Sequence, residues 1–538
     1  MRLLRSHWGF FVLAGIVAPL LAAFASGVDI ASVADDSVSY LVMARHFDGT
    51  ARPLIEPWVP LHAHFGPLLP LLLAITGGAH DLSTAHALVA AFAVLGLPLV
   101  YLLGNAEGRG PRAGLLLVAA FFVMPTAWIS VKGILSETLF LCLSLAAVLA
   151  FGDATALRTR TARALAFGAL VALAYLARSA GVALFAAGAA WVAWSVVRER
   201  AWPSWRLLLP CAVVLAAALA WMAVRPVGAA ADGYGETGRQ MLTAWRESPR
   251  FMLGMAASEW RDGWLLSFAN DAAAPAATRW ALAIVAAFAF AGAILRALAN
   301  RLDGWYVLAT VGMLTLWVFD GENIRRLLYP VMPLVLLHAG IALAAACRLA
   351  RRPAAAPACV VAGVALVAVL ALPASLLIAS KSRDATPLVP GLPLTAADMT
   401  ENYLDVNLAR ARALAAKHGG VVGGLELVRG ATPPDAKVLW ARPEYVALIS
   451  AREGLPLLYA WDAKRLAQEA LRMGATHLLA TGLSKTDHAH QAGDGYATRR
   501  LAAPYTDAVL VVANAITGRE ELVLLRIDRA RLEAFLGG

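Results

Sequence analysis

Two adjacent acids, Asp35 and Asp36, open the stretch Ala34-Asp35-Asp36-Ser37-Val38-Ser39-Tyr40-Leu41-Val42-Met43-Ala44-Arg45-His46-Phe47. A carboxylate in a partly dry cleft can serve as a general base at neutral pH, because loss of water raises its proton affinity. The same residues also fit a plainer role, with Asp36 capping the helix that follows and Asp35 turned toward the space above it. A third acid, Glu137, lies in Lys132-Gly133-Ile134-Leu135-Ser136-Glu137-Thr138-Leu139-Phe140, where it reads equally well as the cap of an apolar helix. Four cations accompany these acids: Lys132, Arg178 in Tyr175-Leu176-Ala177-Arg178-Ser179, and Arg325 and Arg326 in Gly321-Glu322-Asn323-Ile324-Arg325-Arg326-Leu327-Leu328-Tyr329-Pro330. Guanidinium forks match phosphate oxygens, so these cations brought together would form a phosphate site. Taken singly, each can instead snorkel to lipid headgroups.

Metal chemistry has weaker support. His62-Ala63-His64 would present both rings to one ion only in strand-like geometry, and no nearby Cys or third His completes a set. His488-Ala489-His490 reads as a solvated loop. Cys142, Cys211, Cys347 and Cys359 all lie in or beside apolar runs, with neither metal nor disulfide spacing, and read as small apolar residues.

Whether the acids and cations meet depends on the elements that carry them. Of 538 residues, 60% are hydrophobic and 15% charged, whereas soluble domains are about half apolar and about a quarter charged. About eleven apolar stretches approach the length at which a helix crosses a bilayer core: Trp8–Phe24, Ala85–Leu103, Ala113–Val123, Leu135–Phe151, Ala162–Leu176, Ala180–Val197, Leu207–Val224, Trp280–Leu295, Trp305–Phe319, Leu327–Cys347 and Cys359–Ile378. The fold class expected is a polytopic α-helical membrane protein. Alternate loops are short and basic: Arg2 and Arg5; Arg109 and Arg112; Arg158, Arg160 and Arg163; Arg198, Arg200 and Arg206; Arg296 and Arg301; Arg348, Arg351 and Arg352. Positive-inside bias places them in the cytoplasm, with the N-terminus. The long segments Gly27–Thr84 and Gly228–Arg279, every acid and cation named above, and the C-terminus are then outside. Ala23-Phe24-Ala25 also resembles a cleavage site, and cleavage there would not change any downstream sidedness. The net charge of +10 comes from these loop arginines rather than from a basic stripe with stacking aromatics, which argues against nucleic acid as a partner.

The division expected is a membrane part over residues 1–384 and a small extracytoplasmic α/β domain over 385–538, joined through the proline-rich Ala385–Pro393. In the second part the short apolar runs Gly420–Leu427, Ala436–Leu439, His477–Ala480 and Ala508–Val512 predict strands. Arg410–Lys417 and Asp462–Met473 predict helices, the latter capped by Asp462.

Five motifs occur in order on one predicted face: the two acids followed by Tyr40, Phe65-Gly66-Pro67-Leu68-Leu69-Pro70, Ser136-Glu137 before an apolar helix, Arg178 in a short turn, and Arg326-Leu327-Leu328-Tyr329-Pro330. Together they resemble the GT-C glycosyltransferases, particularly the bacterial branch that includes protein mannosyltransferases and aminoarabinose transferases. The resemblance covers the membrane part. It implies an inverting transfer of sugar from a polyprenyl-phosphate donor to a lipid, glycan or protein acceptor at the outer face of the inner membrane. It also implies roles. Asp35 is the catalytic base and Asp36 the second acid. Glu137 orients acceptor or base. Arg178 and Arg326 hold the donor phosphate, with Lys132 and Arg325 as helpers. No cofactor is required, although some members hold a divalent ion on acidic loop residues, here Asp35, Asp36 and Glu137. Ser37 and Ser39 beside the acids, and Ala-Arg-Ser where Thr-Arg-Pro is usual, depart from the pattern. A transporter or flippase of lipid-linked sugars is the alternative, but paired broken helices and internal repeats, which mark transporters, are not evident in the sequence.

Overall fold

The computed structural model describes residues 2–25, 35–50, 65–152, 161–200, 205–224, 233–271, 273–387, 395, 408–457, 462–481, 495–513 and 518–537. Both His-Ala-His motifs lie outside the described residues. Among those described, seven helices are long and apolar enough to cross a bilayer: His7–Ala25, Leu82–Gly108, Ser179–Arg198, Trp205–Ala223, Ala276–Leu298, Gly321–Leu349 and Pro353–Lys381. The chain is a multi-pass helical membrane protein.

Helices form at all eleven expected stretches, and four of them fall short of this length for local reasons. The span expected at Ala113–Val123 is the first half of a pair, Pro111–Phe122 and Pro125–Lys132, bent by 64°. Pro125 holds Met124 in extended backbone and cannot continue the hydrogen-bond ladder, so the chain turns there. Three other expected spans are short helices: Glu137–Phe151 with 15 residues, Thr161–Ala177 with 17 and Leu302–Trp317 with 16. At 1.5 Å per residue such helices reach about 22–26 Å, less than the ~30 Å hydrocarbon core.

One end of the bundle is clasped by charge. Arg296 donates to Glu107 at 2.7 and 2.8 Å and to Asp303 at 2.8 Å, while buried His338 meets the same Asp303 oxygen at 3.1 Å. Glycines tighten this half further. A Cβ on Gly292 would meet the His338 carbonyl oxygen at 2.0 Å, and one on Gly304 would meet the Ala297 nitrogen at 2.4 Å. The three helices therefore pack backbone to backbone, as small residues permit within membranes.

The C-terminal segment forms a five-stranded mixed sheet from β1 (Lys437–Trp440), β2 (Glu453–Pro456), β3 (His477–Thr481), β4 (Thr506–Ala513) and β5 (Glu520–Ile527), in the order β2-β1-β3-β5-β4. β1 runs parallel to β2 and β3, and β5 antiparallel to β3 and β4. Alternation sorts the side chains. Leu439, Leu478, Val523 and Leu525 pack with Leu466 and Ala470 on one face, while Val438, Trp440, Leu479, Leu522 and Leu524 join Val421, Leu425 and Val428 on the other. The strand expected at Gly420–Leu427 is instead part of the helix Leu408–Ala431. Helix Ala463–Met473 forms as expected, with Asp462 accepting from the Arg465 amide at 2.8 Å.

The helix expected after the two acids forms over Asp35–Phe47 and packs inside the protein. Every residue from Ser37 to Ala44 is buried. Small Ser37, Ser39 and Ala44 let it sit between two bodies. One is the helix Leu68–Thr76; the other is the turn Pro443–Ser450 of the C-terminal segment. Val38, Leu41 and Val42 share one apolar cluster with Leu69, Leu73, Tyr445 and Val446.

Candidate active site

Four of the seven residues singled out from sequence converge. Arg326 Nη2 donates to Asp36 Oδ2 at 2.5 Å and its Nε to Glu137 Oε1 at 2.9 Å. Arg178 Nη1 reaches the same Glu137 oxygen at 2.8 Å and donates to Ser136 Oγ at 3.3 Å. Ser136 Oγ in turn bonds the hydroxyl of buried Tyr40 at 2.8 Å. Asp36 lies inside its helix with its carboxylate committed to Arg326, so it is not the cap. Glu137 begins its helix at 1% exposure and is bound by both arginines. Its Oε2 is buried and makes no hydrogen bond among the described residues, a spare acceptor of the kind that sites for ligands retain. Asp35 opens the helix; its side chain lies outside the described residues.

The charges fix one another. Burial alone would raise the Asp36 carboxyl, but Arg326 first, then Arg178 and Arg442, hold it below the ordinary carboxylate range. Burial also pushes the Tyr40 hydroxyl up, so it stays a neutral hydrogen-bonding group.

The motifs have identifiable work in holding this geometry. Phe65 stacks edge-on against Tyr40, ring centroids 5.1 Å apart. A Cβ on Gly66 would meet the Leu176 carbonyl oxygen at 2.2 Å, so the Phe-Gly-Pro loop lies directly on the turn that presents Arg178. Gly66→Ala is therefore expected to displace that turn and reduce turnover about ten- to a hundredfold at unchanged protein level, measured on purified protein. Arg326 is placed by the short helix Gly321–Leu328. Asp320 caps this helix through the Asn323 amide at 2.8 Å, and Glu259 accepts from the Gly321 amide at 2.8 Å. A Cβ on Gly263 would meet Ile324 at 2.6 Å, so helix Pro249–Ala269 braces the same element.

Arg325 and Lys132, expected with the cluster, are directed elsewhere. Successive helical residues point about 100° apart, and Arg325 turns to Asn270 Oδ1 at 3.2 Å and Glu322 at 3.6 Å. Lys132 is buried with its ammonium 5.4 Å from the centre of the Phe24 ring. Among the described residues, no three His, Cys, Asp or Glu side chains are grouped to hold a metal. An ion shared by Asp36 and Glu137 would have to displace Arg326. Arg442, whose charge also acts on Asp36, was not apparent from sequence, since nothing around it matches a motif.

No protein-family model matches the chain, and no curated protein sequence does. Solved structures do. ArnT from Cupriavidus metallidurans in the apo state superposes with a TM-score of 0.53 at 15% identity, covering 96% of this chain and 97% of that one. The same protein bound to undecaprenyl phosphate gives 0.51 at 13%, covering 97% and 99%. The Archaeoglobus fulgidus oligosaccharyltransferase, tethered to an acceptor peptide containing the NVT sequon, gives 0.51 at 12%, covering 97% and 74%. Nearly the whole chain, membrane helices and C-terminal sheet together, thus shares its fold with these two proteins.

Proposed function

We propose that the protein is an inverting glycosyltransferase that moves a sugar from a polyprenyl-phosphate donor to an acceptor hydroxyl or amine at the extracytoplasmic face of the inner membrane. The observation that carries this reading is the convergence of Arg178 and Arg326 on Asp36 and Glu137 from three separate helix ends and a turn. Two of the elements involved, Glu137–Phe151 and Thr161–Ala177, are among the short helices, which suits a cleft recessed into the bilayer and reached by a lipid. One structure with this fold holds undecaprenyl phosphate, and another carries an acceptor peptide.

In the proposed step Asp35 takes the acceptor proton, and the acceptor heteroatom bonds to the anomeric carbon. The carbon–oxygen bond to phosphate breaks, and the lipid phosphate leaves with the electron pair. Its added charge is met by Arg178 and Arg326, donors held in place before the reaction begins. Asp36 acts as the positioning acid, since its depressed proton affinity makes it a poor base. Glu137 Oε2 is suited to accept a hydrogen bond from the incoming acceptor. The C-terminal segment from residue 385 is proposed to form the extracytoplasmic domain that covers this site.

The reading is tested with purified protein in nanodiscs supplied with polyprenyl-phosphate sugars, scoring release of lipid phosphate, alongside mass spectrometry of envelope glycans from a deletion strain. Turnover with one donor and loss of one sugar from the envelope are expected. Movement of intact lipid-linked sugar across vesicles without lipid phosphate release would point to a flippase and end the enzymatic reading.

A further inference from the structure

The helices Gly233–Glu247 and Pro249–Ala269 stand at the end of the bundle that carries Arg326, and their depth is fixed by what they hold. Trp245 Nε1 donates to the Leu316 carbonyl and Trp260 Nε1 to Thr315 Oγ1, both at 2.9 Å. Met252 and Ala256 are buried against Val318, in the turn between helix Leu302–Trp317 and the spanning helix Gly321–Leu349. One apolar helix ends there and the next begins, so the pair lies where lipid tails give way to headgroups. With this inner stripe satisfied, apolar side chains still face outward. Phe251 is 66% exposed, Leu253 60% and Leu242 58%, and Met255 is exposed as well. Such residues on the outside of a helix mark a surface that something apolar covers. Phe251 and Leu253 point about 200° apart around their helix. A docked protein covers one side of a rod, whereas a fluid covers every side but the stripe already packed. Arg246 and Arg250, both exposed, stand beside these residues, as cations do where an apolar helix meets lipid phosphates.

We propose that the first turns of Pro249–Ala269, with Leu242 beside them, are seated in the headgroup boundary of the bilayer on the side of the site, and that this seat holds the Arg326 helix in place. The same helix makes the connection. Eight residues beyond Phe251, a rise of about 12 Å, Glu259 accepts from the Gly321 amide at 2.8 Å. One turn further, Gly263 lies so close to Ile324 that a Cβ would meet it at 2.6 Å. A single rod thus joins lipid at one end to the element that presents Arg326 at the other. The seat goes beyond the glycosyltransferase reading; its consequence for turnover rests on that reading.

The test uses the full-length protein, its four cysteines changed to alanine, in nanodiscs of phosphatidylethanolamine and phosphatidylglycerol. A nitroxide is attached through Phe251→Cys or Leu253→Cys, with Lys464→Cys, on an exposed position of helix Ala463–Met473, as the reference in water. Collision with oxygen, which concentrates in lipid, is expected to exceed collision with a water-soluble nickel chelate at 251 and 253, and the order should reverse at 464. Nickel-dominated collision at both positions overturns the seat, whatever the activity. Low collision with both reagents, or spin–spin broadening between copies, overturns it too, because a protein would then cover the surface. Phe251→Glu/Leu253→Glu changes two exposed side chains and is expected to lower turnover in nanodiscs about ten- to a hundredfold, with the thermal midpoint in detergent unchanged. Wild-type turnover in that variant overturns the link to Arg326. If the wild type itself transfers no sugar, the glycosyltransferase reading fails, while the collision result still decides the seat.

Discussion

Replacing Asp35 with asparagine should reduce sugar transfer by about a hundred- to ten-thousand-fold, the range by which positioned general bases contribute, while lipid-phosphate binding stays near the wild-type value. The amide keeps the shape of the carboxyl and cannot take a proton. The neighbouring change separates the two acids by sign. Asp36→Asn removes the charge that competes with phosphate for Arg326, so donor affinity should hold or rise while turnover falls modestly through poorer positioning. Steady-state kinetics on both variants, at matched protein level, decides between the roles. An Asp35→Asn enzyme with wild-type turnover would falsify the base assignment, and a larger kcat loss in Asp36→Asn would transfer the role to that residue.

Arg326→Ala is the second large effect, because it strikes stability and chemistry together. Glu137 is 1% exposed and receives Arg326 and Arg178 on one oxygen. Removing one partner from a buried ion cluster costs about 3–5 kcal/mol, and removing a preorganised donor to developing charge costs about a hundred- to a thousandfold in rate. The double variant Arg326→Ala/Asp36→Asn, which neutralises the carboxylate left without its ion pair, should recover most of the thermal midpoint and none of the turnover. A stability-only role would instead restore both. The pH dependence carries the same signature. The Asp36 carboxyl is held below its ordinary value of 3.8, so its contribution is complete above that value and is lost only as the pH falls through the lower folded value. The wild-type midpoint should therefore be insensitive to Asp36 between pH 7 and 5. In Arg326→Ala, stability should instead improve on acidification, as the carboxyl groups left behind take up protons.

The membrane class was legible because apolar length and loop arginines report directly on the lipid environment. The lengths of the helices were less so, since a helix of 15 apolar residues and one of 23 look alike by hydrophobicity. Gly420–Leu427 was misread for a related reason. A helix pressed against a sheet, with Gly420 and Gly424 near Glu521 and Leu522, buries a continuous run and so resembles a buried strand. Asp36, Glu137, Arg178 and Arg326, which the structure brings together, each belong to a short local pattern. Arg325, expected beside its neighbour, turns to Asn270 and Glu322, since adjacency in a helix means divergence in space. Arg442 could not be found that way. Its position relative to Asp36 arises from a sheet and a turn assembled hundreds of residues downstream, and no spacing in the chain encodes it.

The clasp formed by Glu107, Arg296, Asp303 and His338, with the glycine-tight packing at Gly292 and Gly304, has a mechanical consequence. A hinge peg sprung at one end can part only at its jaws. Admission of a lipid should therefore spread the helix ends that carry Arg178 and Arg326 while the separations around Asp303 stay constant. Paired spin labels at the two levels, read before and after addition of undecaprenyl phosphate, would register a change at the first and none at the second. Equal displacement at both would mean the bundle yields as a whole.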